Sequence, residues 1–65
     1  MGKLIVDSKR AKRIESITDW SNDGKEVYAV RFKNVDGAIW VESKIAIYDL
    51  LNKTDEELQV VANNG

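Results

Sequence analysis

Residues 26–42 read EVYAVRFKNVDGAIWVE. On either side of Asn34-Val35-Asp36-Gly37, β-branched and aromatic residues alternate with polar ones, the pattern of two half-buried strands joined by a hairpin. Working upstream, Ile14 to Trp20 is a similar segment that runs into a second Asp-Gly at Asp23-Gly24. Asp followed by a Gly that can take positive φ is hairpin chemistry, either a two-residue type I′ turn or a three-residue turn with a Gly bulge. A three-strand meander over 14–20, 25–33 and 38–42 follows. KLIVD at 3–7 suits a further strand, and the basic segment behind it, SKRAKR, suits a loop.

Turn length decides where the aromatic rings point, because a slip of one residue moves every side chain to the opposite face of a sheet. With two-residue turns, Trp20 and Trp40 share a face with Val27, Ala29, Arg31 and Lys33, while Tyr28, Val30 and Phe32 join Ile17, Ile39 and Val41. With three-residue turns, Ile14, Trp20, Tyr28, Val30, Phe32 and Trp40 gather on one face instead. The first arrangement makes a tryptophan platform flanked by cations, and the second makes an aromatic core. A chain of 65 residues buries only about 60 % of the surface its unfolded form exposes, which favours the core reading. Both arrangements leave Arg31 and Lys33 on the surface.

Beyond Glu42 the periodicity becomes helical, with Ile47, Leu50, Leu51, Leu58, Val61 and Ala62 on one stripe. Thr54-Asp55-Glu56-Glu57 matches a capping box, in which the Thr accepts from a backbone N–H and Glu57 reaches back. This predicts a helical turn near 46–52 and a helix near 55–62. One continuous helix from 44 to 62 is the alternative, since Thr54 also falls on the apolar stripe. The expected domain is single, spanning 1–62, with 63–65 as a frayed end.

Composition narrows the chemistry. The chain has no Cys and no His, which removes thiolate nucleophiles, disulfides, the usual zinc ligands and the commonest general base. No Gly-rich phosphate loop is present, and no catalytic residue, metal or cofactor is expected. Asp19 to Gly24 imitates the start of a calcium-binding EF-hand loop, but its twelfth position is Val30 rather than a bidentate Glu. No apolar run approaches the roughly 18 residues of a membrane span and no signal peptide is read, so a soluble, cytoplasmic protein is expected. Charge is polarised: the first 33 residues carry eight Lys/Arg against five Asp/Glu, and the last 32 carry two against six. With a net charge of −1 overall, the chain lacks the excess basicity of a dedicated nucleic-acid binder.

A hairpin ending YAVRFK, a short loop, a strand ending IWVES and then an amphipathic helix resembles chromodomains and the archaeal seven-kilodalton chromatin proteins, over roughly residues 13–60. The resemblance implies a small SH3-like barrel closed by a helix. Chromodomains hold methyl-lysine in a cage of three aromatic rings. Phe32 falls where one ring would lie, but Val35 and SKRAKR supply no others. The archaeal proteins bind DNA with a three-stranded sheet, which maps onto Trp20, Val27, Arg31 and Trp40; they are strongly basic, and this chain is not.

The expected fold is therefore mainly β with a C-terminal helix, a three- to five-stranded antiparallel meander or small SH3-like barrel. The expected function is a non-catalytic module that docks on a protein, as an adaptor or an inhibitor of a larger enzyme. The alternative is a nucleic-acid binder. Candidate contact residues are Lys9, Arg10, Lys12 and Arg13 of the basic segment, Arg31 and Lys33 of the sheet, and Trp20 and Trp40.

Overall fold

A computed structural model describes residues 11–64. The expected strand at 3–7, Lys9, Arg10 and Gly65 lie outside the described residues. Three strands, β1 (Ile14–Asp19), β2 (Tyr28–Phe32) and β3 (Ala38–Val41), precede two helices, α1 (Lys44–Leu51) and α2 (Asp55–Asn64). The strands form an antiparallel meander in the order β1-β2-β3. Among the described residues this sheet is open and does not close into a barrel.

The first hairpin turns in two residues. Asp23 and Gly24 have φ of 50° and 79°, the pair of positive values that a type I′ turn requires. Asn22 and Lys25 flank them and exchange both backbone hydrogen bonds, at 3.0 and 2.9 Å. Pairing then runs from Trp20, whose N–H donates to the Val27 carbonyl, through Thr18 opposite Ala29 and Ile17 opposite Val30. A bulge between Ile14 and Ser16 absorbs Glu15 and brings Ile14 opposite Phe32.

The second hairpin is longer than either turn expected from Asp36-Gly37. Val30 pairs with Ile39 and Arg31 with Ala38, so residues 33–37 form a five-residue loop with Gly37 at φ 92°. Two tertiary interactions explain the length. Val35 is buried in the core, and Gln59 of α2 grips the loop backbone, accepting from the Asp36 N–H at 2.9 Å and donating to the Asp36 carbonyl at 3.1 Å. The last ladder pair encloses six residues rather than two, and Arg31 stands opposite Ala38 where a two-residue turn would put it opposite Glu42, a register shift of four, an even number. The faces are therefore those of the two-residue arrangement.

Tyr28, Val30, Phe32, Ile39 and Val41 look toward the helices and form the core with Val35, Ile47, Leu50, Leu51 and Leu58. Burying side chains of this size contributes about 1.5–3 kcal/mol each, and Val30 and Leu58 are wholly inaccessible. The two-helix arrangement follows from local chemistry. Ser43, in extended conformation, accepts from the Ala46 N–H to start α1, which ends at Asn52. Thr54 then accepts from the Glu57 N–H at 3.2 Å while the Glu57 carboxylate accepts from the Thr54 N–H at 2.8 Å. This reciprocal box starts a new helix and excludes the continuous one.

Candidate functional site

The helices cover one face of the sheet, and among the described residues nothing covers the other. Three cross-strand rows make up this bare face. Ser16, Arg31 and Ala38 form the first, and Thr18, Ala29 and Trp40 the second. The third joins Trp20 to Val27, with Glu42 beside Val27 in a shallow depression that Lys25 and Glu26 also line. Trp20 and Trp40 converge from the two edge strands, their ring centroids 6.4 Å apart and their planes inclined by 39°. That is a tilted contact within the range that aromatic pairs favour. Both indoles remain more than half exposed, at 58 % and 56 %, whereas Ala29 on the same face is 7 % exposed. The small Ala29 thus forms the floor and the indoles the walls. The aromatic-core reading is corrected here: only Tyr28 and Phe32 of the sheet's rings lie inside.

The sheet brings Trp20, Trp40 and Arg31 onto one face, with Lys33 exposed just past the end of β2. Of the candidates in the basic segment, Lys12 and Arg13 are described. Lys12 is exposed, but Arg13 turns to the helix side. Its guanidinium lies 5.8 Å from the centre of the Phe32 ring, donates to the Leu51 carbonyl at 3.2 Å and meets the Asp55 carboxylate at 2.7 Å. One side chain thereby ties the start of β1 to the end of α1 and the start of α2. Asp55 and Gln59 also hold the 33–37 loop, the former accepting from Asn34 at 3.4 Å. Neither role had a signal in the sequence, because each contact spans more than twenty residues.

Electrostatics within the described residues serve structure. The Arg13 guanidinium, and secondarily Asn34, hold the Asp55 carboxyl below its usual range. Hydrogen bonds from Thr54 lower Glu57, and those from Ser21 lower Asp19. The Tyr28 hydroxyl donates to Glu26 at 2.7 Å, which raises the phenol, with burial adding to it. Each shift carries its group further from neutral pH, opposite to the direction proton transfer at pH 7 requires. No group of three or more metal-ligating side chains occurs among the described residues, and Asp19 to Gly24 is occupied by the first turn. No helix among them is long and apolar enough to cross a membrane.

Comparisons with protein families, with curated proteins and with solved structures find no match to this chain.

Proposed function

We propose that this protein is a non-catalytic interaction module that docks on a protein through the bare sheet face, with Trp20 and Trp40 as anchors. The observation that carries this reading is the exposed indole pair. A domain this small needs large apolar side chains inside, yet its two largest stand in solvent on a face without a helix. Trp and Arg dominate the energetics of protein interfaces, and both are present here within one residue pair of each other. The edge location lets the rings give up water without rearranging the core.

A second reading has one observation in its favour: Arg31 lies beside Trp40, so a base could stack on the indole while the guanidinium meets phosphate. It ranks lower because Arg13 is committed to Asp55 on the other side of the sheet and the net charge is −1.

A photo-crosslinking amino acid at Thr18, on the bare face, compared with one at Glu56, on α2, tests the reading in cells. Expected is a discrete protein adduct at position 18 that is absent at position 56 and lost in a folded Trp20→Ala/Trp40→Ala variant. Equal labelling at both sites, or no protein adduct at either, overturns it. Single-stranded DNA binding that weakens steeply between two salt concentrations would instead favour the second reading.

A further inference from the structure

Resting on the docking reading, the chemistry of the face identifies an occupant. A two-fold interface uses the same patch on both subunits, so the patch must be complementary to itself when inverted. The bare face meets this condition. Arg31 stands in the row at one end, Glu42 in the row at the other, and the small and aromatic residues Thr18, Ala29 and Trp40 lie between them. The one ion pair among the described residues joins Arg13 to Asp55, so neither Arg31 nor Glu42 is neutralised within the chain by a described partner.

We propose that the bare face binds a second copy of this chain. The two sheets pack face to face about a two-fold axis that crosses the strands at the middle row. Inversion about that axis exchanges the end rows. Each strand then faces its own copy: Arg31 lies over Val27 with Glu42 of the other copy one strand to the side, Trp40 meets Trp40, and Trp20 descends on Ser16, whose small side chain leaves room for an indole. Sheets pack about 10 Å apart, a gap that an Arg and a Glu side chain together span. Three strands about 4.8 Å apart and five residues of about 3.4 Å give a face of roughly 15 by 17 Å. Such a patch, roughly 250 Å² on each copy, lies below the roughly 800 Å² per partner of standard interfaces, so the dimer is a weak, transient one. The net charge of −1 per chain opposes it only weakly.

Sedimentation velocity on the full chain, from about 1 µM to about 1 mM, tests this. Expected is a concentration-dependent rise from the 7.4 kDa monomer toward twice that mass. Arg31→Glu and Glu42→Arg should each raise the dissociation constant by about tenfold or more, because each places like charges together at both ends of the interface. Mixed in equal amounts, the two variants should associate again, since every end then pairs Glu with Arg; this rescue requires both to be folded. Trp40→Ala should abolish association while its circular dichroism is retained. A monomer throughout the range, or a dimer indifferent to the charge reversals and their mixture, overturns the proposal. If that monomer is accompanied by an adduct to a different protein at position 18, the docking reading stands and self-association alone falls.

Discussion

Arg13 illustrates how much one side chain can hold in a small domain. Its guanidinium lies over the Phe32 ring, and its donors satisfy an orphan carbonyl at the end of α1 and a carboxylate at the start of α2. Arg13→Ala should therefore lower the melting temperature by about 5 °C or more, whereas Lys12→Ala, at an exposed position, should move it by no more than about 2 °C. Thermal denaturation followed by circular dichroism separates the two. At the same scale, Gly24 and Gly37 have open space where a Cβ would go, so substitution there meets no neighbour. Their positive φ alone makes Gly24→Ala and Gly37→Ala destabilising, by about 1 kcal/mol each in urea titrations.

Among the elements, α2 depends on both its cap and one buried side chain. Thr54→Ala removes the acceptor of the capping box and should cost about 1 kcal/mol. Leu58 is wholly buried among β2, β3 and α1 residues of the core, and Leu58→Ala should cost about 2–5 kcal/mol. A single core of this size rarely supplies more than about 3–5 kcal/mol in all. Leu58→Ala should therefore be substantially unfolded at 25 °C, visible as collapsed amide dispersion in NMR spectra, while Thr54→Ala retains a native spectrum. Loss of α2 would also release the 33–37 loop, because Gln59 supplies its side-chain hydrogen bonds.

For the whole molecule, the ionisable groups define a pH window. The carboxyls of Asp19, Asp55 and Glu57 are lowered in the folded state, so the folded chain binds protons more weakly than the unfolded one. Their contribution to stability is present above the ordinary carboxylate range and is lost as pH falls through the lowered values. Tyr28 is raised, so its contribution is present below the ordinary phenol range and is lost as pH rises through the raised value. Urea midpoints should form a plateau around neutrality and decline at both ends. Asp55→Asn should flatten the acid limb by removing the group that Arg13 holds charged.

Where information was local, the sequence determined the outcome. Asp23-Gly24 specified a hairpin turn because these residue types tolerate positive φ, while the choice of a two-residue I′ turn over a three-residue one was left to the structure. Thr54 and Glu57 specified a helix start because their side chains reach each other's backbone within one turn. The three-strand meander and a helix start at Asp55 were legible on these grounds, whereas one continuous helix stayed an alternative and the expected barrel does not close among the described residues. Asp36-Gly37 was a turn signal too, yet the chain reverses over five residues because the core draws in Val35 and Gln59 binds the loop. Only tertiary packing could decide that, since it depends on α2, more than twenty residues away. It also decided which face the helices cover, and with it the exposure of Trp20 and Trp40 and the separation of Arg13 from Arg31. Alternation along a strand says which side chains share a face, but the free energy that buries one face lies in what packs against it.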